Sequence, residues 1–573
     1  MLHCFDFRVM SSITEIILNT LYIFLSFSGI EAKDNIVFII VDDLRPALGC
    51  YGDTMAHTPN IDALAESSIY FNNAYVQQAL CAPSRNSFLT SRRPDTLHLY
   101  DFYSYWREVA GNFTTLPQYF KENGYHTKAI GKIFHPGISS NWSDDQPYSW
   151  SEAPYHPPTQ HYKEASVCPQ ADGTFGRNLV CPVEVRFQPG HSLPDLQSLD
   201  EATKFLQAQS SATLSPFFLA VGFHKPHVPL KYPVKYRELH PLESIHLPSA
   251  HWRPSALPTV AWNPWTDLRE REDVAALNVS FPFGPMPDDY ARLVIQSYYA
   301  AVSYIDDLVG QLLSELRAVG LFNSTIVLLI GDHGWSMAEH GEWSKYSNFE
   351  VSVRVPFILH VPGLTDSIRF QRKEYLSSSA LVELVDIFPT LVELTGLPVV
   401  PPLCPVNSSL VQLCTEGISI GPVVEDAVFR KVQGTEARNR HLEQKWKTGV
   451  FSQYPRPGLF PTLKPNSDKP RLKQIKVMGY SLRTSRHRYT EWVLFDRKNF
   501  KPDWKYVISR ELYDHQVDPE ENMNIADRSV MSETVRALSM QLRAGWRYSL
   551  PKDMLRRNYS SKYYNDGMLL QGG

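Results

Sequence analysis

The sequence predicts an α/β fold: a large mixed, mostly parallel sheet sandwiched by helices, with a smaller C-terminal antiparallel-sheet subdomain. Three observations predict it. Short runs of branched apolar residues recur between residues 35 and 361, with the unbroken hydrophobicity of strands buried on both faces. Helical patterns separate those runs, the alternation of a parallel sheet covered by helices. Beyond Ile475 the pattern turns to strand-like text broken by turn residues.

The buried runs are Asn35 to Val41 (NIVFIIV), Pro216 to Val221 (PFFLAV), Thr325 to Ile330 (TIVLLI) and Val355 to Val361; YHTKAI, ahead of Lys132, reads as a further strand. Helices are expected over Ile61 to Ser67, Leu116 to Asn123, Asp200 to Gln209, Tyr290 to Arg317 and Leu381 to Leu394. Residues 399–450 mix prolines, two cysteines and charges, and read as an irregular connector. KVMGYSLRT, RHRYTEWVLF and KYVISRELYD then form the small antiparallel sheet. The expected division is a leader over 1–32, a catalytic unit over 33–440, a C-terminal subdomain over 441–550 and a disordered tail over 551–573.

The 573 residues are 43% hydrophobic and 20% charged, which excludes a mainly disordered chain, a collagen and a coiled coil. A net charge of −4 gives no reason to expect nucleic acid as a partner. The apolar run Ile16 to Ile30 is short for a bilayer span, and Ser28, Gly29 and Ala32 supply small residues near a cleavage point. It reads as a signal peptide, the alternatives being a buried helix or a mis-assigned start. Six Asn-x-Ser/Thr glycosylation acceptors, at Asn112, Asn141, Asn278, Asn323, Asn407 and Asn558, also favour the secretory pathway. No other stretch is long and apolar enough to cross a membrane, so no span is expected in the mature chain.

In open α/β sheets ligands bind beyond the carboxyl ends of the strands. Two of the buried runs end in polar clusters there: Asp42-Asp43 after the first, Gly331-Asp332-His333-Gly334 after TIVLLI. Adjacent carboxylates on a strand face opposite sides, so both reach one site only where the strand stops. Three carboxylates at one edge suit a hard cation with oxygen ligands, calcium, with His333 beside it. A single Asp in such a place is an ordinary helix N-cap. Cys81-Ala82-Pro83-Ser84-Arg85 puts a cysteine at a helix start, where an anion is favoured. It is a nucleophile, a disulfide half or a buried thiol. Lys132 and His135 in GKIFHPG, His224, Lys225 and His227 in GFHKPHVP, and Lys345 in EHGEWSKYSNF add cations that read as an anion-binding pocket.

Together these residues resemble the sulfatase family, of the alkaline-phosphatase-like superfamily. The specific element is Cys-x-Pro-Ser-Arg, which the formylglycine-generating enzyme recognises; the family pattern continues Leu-Thr-Gly-Arg, against Leu89-Thr90-Ser91-Arg92 here. Longer strings, among them VDDLRPALGCYGD, LYDFYSYWR, DHGWSMAEHGEWSKYSNF, SQYPRP and NSDKPRLK, carry the resemblance from about residue 35 to about 525. They are similar to the members that act on iduronate. The resemblance implies a lysosomal exo-sulfatase for the 2-O-sulfate of non-reducing terminal L-iduronate in heparan and dermatan sulfate. It implies that Cys81 is oxidised to formylglycine and that calcium is held by Asp42, Asp43, Asp332, His333 and the modified Cys81. It gives catalytic and sulfate-binding positions to Arg85, Lys132, His135, His227 and Lys345. Many sulfatases carry Asn in place of His333. Asp145, Trp335, Tyr346 and the stretch Ser104 to Trp106 are expected to line the sugar site. The alternatives are a sulfatase for another sugar position and a catalytically silent glycosaminoglycan-binding glycoprotein.

Seven cysteines are then accounted for. Cys4 leaves with the leader and Cys81 is modified. Cys168 with Cys181, and Cys404 with Cys414, lie close enough for local disulfides in an oxidising lumen. Cys50 remains as a buried free thiol.

Overall fold

The computed structural model describes residues 34–552, apart from residue 171 and residues 212–214, 367–374, 434–444 and 465–466. The expected leader, the tail beyond residue 552 and Asn558 lie outside the described residues.

Eight strands build the main sheet: β1 (Asn35–Val41), β2 (Ile69–Tyr75), β3 (His126–Gly131), β4 (Phe217–Phe223), β5 (Thr325–Gly331), β6 (Arg354–Val355), β7 (Phe357–His360) and β8 (Leu376–Glu383). Their order is β6-β2-β7-β5-β1-β4-β3, with β8 paired to β2. β5, β1, β4 and β3 run parallel in register; β7 is antiparallel to both β5 and β2, and β6 is antiparallel to β2. The sheet is therefore mixed, with the parallel run β5-β1-β4-β3 forming one end and the antiparallel pairings of β7 and β6 with β2 the other.

The principal helices are α1 (Pro59–Ala65), α2 (Cys81–Thr90), α3 (Leu116–Glu122), α4 (Pro194–Ser211), α5 (Asp288–Ala318), α6 (Ile387–Leu394), α7 (Gly421–Gln433) and α8 (Ser532–Ala544). Strand alternation divides the core in two. Val37, Ile39 and Val41 pack on the face carrying α4 and α5, with Tyr298, Ile305 and Leu312. Ile36, Phe38 and Ile40 pack on the other, with Phe88 and Leu89 of α2 and Phe388 and Leu391 of α6.

A separate antiparallel sheet of four strands follows, β9 (Val450–Arg456), β10 (Val477–Arg483), β11 (His487–Asp496) and β12 (Lys501–Asp514), in sequential order, with α8 packed against it. Two expectations change. The helix expected from Leu381 begins only at Ile387, because residues 376–383 extend along β2 as β8; Leu376 and Ser378 are buried while Ser377 and Ser379 are exposed, the period of a strand. The connector expected to be irregular contains α7, whose Val423, Val424, Ala427 and Val428 pack into the core at helical spacing. The structure contains the disulfides Cys168–Cys181 and Cys404–Cys414, and Cys50 is a buried free thiol. Asn112, Asn141, Asn278, Asn323 and Asn407 are exposed.

A buried ionic cluster ties the segment after α2 to the C-terminal part of the chain. Glu383 accepts two bonds from Arg93 (2.7 and 2.8 Å), one from Lys447 (2.9 Å) and one from the Phe451 amide (3.0 Å). Against the cost of burial, Arg93 and Lys447 hold its carboxyl at about 2, below the ordinary 4.5. A depressed carboxyl stabilises the fold above pH 4.5, and that contribution is lost as pH falls toward about 2. Glu383→Gln should leave two buried cations undercompensated and cost about 3 kcal/mol in denaturant unfolding at pH 5. Its deficit against wild type should shrink as the pH is lowered below 4.5.

Candidate active site

The site lies beyond the carboxyl ends of β1 and β5, which are neighbours in the sheet. β1 stops at Val41, and Asp43 takes a left-handed φ of 64°. That turn releases the alternation of the strand, so Asp42 and Asp43 both face one pocket. The Asp43 amide donates to Asp332 Oδ1 (3.0 Å), and Tyr298 of α5 donates to the Asp43 carbonyl (2.7 Å). All three carboxylates are buried.

Cys81 is the first residue of α2, and its thiol sits among these groups. It lies 3.6 Å from Asp42 Oδ1, 3.3 Å from His333 Nε2 and 3.3 Å from Lys345 Nζ. Burial works against the thiolate, but Lys132 and Lys345 outweigh it and the thiol is shifted down. One turn along α2, Arg85 bonds Asp332 through Nε (2.8 Å) and Ile133 O through Nη1 (3.1 Å), and it also donates to the Lys132 carbonyl. One buried guanidinium thus fixes Asp332 and the loop after β3 together.

Two ammonium groups complete the floor. Lys132 Nζ is 2.5 Å from Asp42 Oδ2, and Lys345 Nζ is 2.6 Å from Asp43 Oδ1. Despite burial, Lys132, His227 and Arg85 hold the Asp42 carboxyl well below its ordinary range. Burial pushes the Asp43 carboxyl up, and its Oδ2 has no hydrogen-bond partner among the described residues. Lys345 sits between Ser344 and Tyr346, both at positive φ, in a loop held by the Asn263 side-chain amide.

His333 Nδ1 is 3.0 Å from the Gly334 carbonyl, an acceptor, so that nitrogen carries its hydrogen and Nε2 faces the carboxylates. Burial pulls this imidazole down, but Asp332 and its neighbours push it up to about 9. Ligand atoms of Asp42, Cys81, Asp332 and His333 all lie within 4.8 Å of one another. Asp43, whose Oδ2 has no partner among the described residues, stands beside them, and three buried carboxylates with one imidazole are a donor set that fits a hard divalent cation.

Above this floor opens a cavity of about 400 Å3, with Cys81 at its base and His135, His227, Lys345, Tyr346 and Lys469 among its walls. His227 Nδ1 faces its neighbour's carbonyl (Val228 O, 2.7 Å), and Nε2 has no hydrogen-bond partner among the described residues. His135 packs on Phe102 with ring centroids 4.4 Å apart. Burial holds both imidazoles well below the ordinary 6.5.

Two expected wall residues lie elsewhere. Trp335 is fully buried, stacked on Tyr298 at 5.3 Å, and belongs to the core. Asp145 is fully buried in a bidentate pair with Arg107 (2.6 and 2.8 Å) and accepts from Tyr105. In the Ser104 to Trp106 stretch, Trp106 is a core residue that donates to Asn86 (2.7 Å). Tyr346 does line the cavity and donates to Asp267 (2.6 Å).

Other contributors escaped the sequence reading. Asp195 of α4 accepts from the His224 amide (2.6 Å) and the Lys225 amide (3.1 Å). The Lys225 ammonium donates to the carbonyls of His227 and Pro229. The pair braces the loop that carries His227. Asn263, Tyr298 and Lys163 likewise reach the site from segments with no recognisable motif.

Residues 34–397 match the sulfatase family model. The chain belongs to the sulfatase family. This sulfatase is 50% identical over 520 residues to mouse iduronate 2-sulfatase, covering 87% of this chain and 92% of the relative. It is 50% identical over 513 residues to the human enzyme of the same name, covering 86% and 91%. Its fold is shared with a phosphonate monoester hydrolase from Silicibacter pomeroyi, at a TM-score of 0.66 and 18% identity, covering 91% of this sulfatase and 97% of that chain. As a family member it is a sulfuric ester hydrolase, and none of its described helices is long and apolar enough to cross a membrane.

Proposed function

We propose that this sulfatase removes the 2-O-sulfate from non-reducing terminal L-iduronate in heparan sulfate and dermatan sulfate, acting in the lysosome after passage through the secretory pathway. The observation that carries the reading is 50% identity over most of the chain to iduronate 2-sulfatases of two species.

In this reading Asp42, Asp43, Asp332, His333 and the modified Cys81 hold calcium, and the formylglycine-generating enzyme converts Cys81 beforehand. Calcium would neutralise charge on the sulfate oxygens, while the formylglycine hydrate would offer one hydroxyl to attack sulfur and a second through which sulfate is released. The protein's own groups do the rest. Lys132 and Lys345, fixed on Asp42 and Asp43, present positive charge where the transferred group's charge grows. Arg85 keeps Asp332 and the loop carrying Lys132 in place. His227, its Nδ1 held by the Val228 carbonyl, gives a proton to the departing sugar oxygen through Nε2 once the negative charge of the bound sulfate ester has drawn a proton onto that nitrogen against the pull of burial. His135, held neutral by burial, takes a proton as sulfate leaves.

A panel of monosaccharides sulfated at single defined positions tests the substrate. Release of sulfate from the 2-sulfated iduronide, at least about a hundredfold faster than from 6-sulfated or N-sulfated glucosamine, is expected. Preference for a glucosamine sulfate would replace this reading with that of another sulfatase, and binding without release from any member would indicate a silent glycan-binding protein.

A further inference from the structure

Lys163 is an ammonium group the mechanism leaves unused. It follows the short helical turn Pro158–Tyr162 and lies in the cavity wall above Cys81, beside Glu164, Arg177 and Arg271. Most of the other cations of that wall have a partner: Lys469 lies over the Tyr346 ring with its ammonium 3.5 Å from the Tyr346 hydroxyl. Arg271 holds Glu164 (2.6 and 3.3 Å), and Arg177 holds Glu272 (3.1 Å). On the floor, Lys132 and Lys345 are committed to Asp42 and Asp43. Lys163 Nζ has neither a hydrogen bond nor an ion pair among the described residues, whereas Lys469 keeps its contact with Tyr346.

Burial first, and then the charge of Lys132, pull its pKa to about 8. It is therefore protonated throughout the acid range despite an unfavourable setting. An uncompensated charge in a concave, partly desolvated wall is costly unless a ligand supplies the opposite charge. The ester under attack is already met by two lysines and the carboxylate-bound floor. What Lys163 faces is the part of the cavity where the rest of the sugar, or the sugar attached to it, must lie.

We propose that Lys163 is a specificity-determining residue that binds a second anionic group of the substrate, a carboxylate or a sulfate other than the ester being cleaved. This rests on the sulfated-sugar reading above and extends it: the preferred substrates carry two negative groups, and the second is recognised from the 158–163 segment.

The test compares wild type, Lys163→Met and Lys163→Arg on three 2-sulfated substrates: a neutral glycoside without a carboxylate, the iduronide monosaccharide, and a disaccharide whose second sugar carries a further sulfate. Lys163→Met should raise KM about tenfold on doubly anionic substrates, leave kcat within about twofold, and leave the neutral glycoside unaffected. Lys163→Arg should recover most of the loss. A loss that first appears with the iduronide identifies the carboxylate as the bound group; one confined to the disaccharide identifies the neighbouring sulfate. An equal loss on the neutral glycoside, or no loss on any substrate, overturns the proposal. Should wild type cleave a sulfate at another sugar position instead, the substrate reading falls. The Lys163 proposal is then judged by the same comparison, with and without a second anion, on the sugar that is cleaved.

Discussion

Cys81→Ser should abolish turnover, lowering kcat by more than about 10^4-fold, while the protein folds and still takes up the sulfate group. Serine fills the space at the start of α2 and offers one hydroxyl to the same cationic floor of Lys132 and Lys345. It lacks the second hydroxyl on the same carbon, so the transferred group has no route of release. The variant should accumulate a covalent adduct about 80 Da heavier on the peptide containing residue 81, visible by mass spectrometry after incubation with substrate. Sustained turnover by Cys81→Ser would contradict the mechanism.

Lys345→Ala should lower kcat by about 10^2- to 10^3-fold, the usual size of losing one preorganised charge at a reacting centre. Lys345 Nζ bonds Asp43 Oδ1 at 2.6 Å and lies 3.3 Å from the Cys81 sulfur, so its removal strips the counter-charge from a fully buried carboxylate and from the reacting position together. Lys345→Met, which keeps the length of the side chain, should be equally impaired if charge is what matters, with unfolding monitored to confirm that the fold persists. Full activity in the methionine variant would remove Lys345 from the mechanism.

The parts of this site legible in the sequence are those that strand ends dictate. NIVFIIV and TIVLLI announce buried strands, and because β1 and β5 are adjacent and parallel, the polar residues that end them meet. Cys81 and Arg85 are legible because a short helix start fixes their relation. Residue type alone misled at Trp335 and Asp145: an indole two residues after His333 packs on Tyr298, and a carboxylate in a polar loop pairs with Arg107. Lys163 and Asn263 belong to segments whose path no periodicity records, and Asp195 sits in the first turn of α4, ahead of the helical pattern read from Asp200, so only tertiary structure brings them to the site. β8 was hidden because its buried end runs directly into the apolar face of α6, and α7 because prolines and cysteines surround its helical spacing.

Ser91 illustrates a departure that the structure can rationalise. It ends α2 at a φ of 51°, the left-handed conformation that glycine adopts freely, and its hydroxyl donates to Val385 O at 2.5 Å while its carbonyl accepts from the Glu416 amide. The bonds to a neighbouring segment offset the backbone cost at this position.

Everything in the proposed reaction depends on Cys81, at the base of the cavity, being the precursor of the nucleophile. Mass spectrometry of the peptide spanning Cys81, from protein secreted by cells that carry the maturation enzyme, tests it most directly. The expected residue is about 18 Da lighter than cysteine and reacts with a carbonyl-specific hydrazide. An unmodified cysteine in protein that still hydrolyses sulfate esters would contradict it.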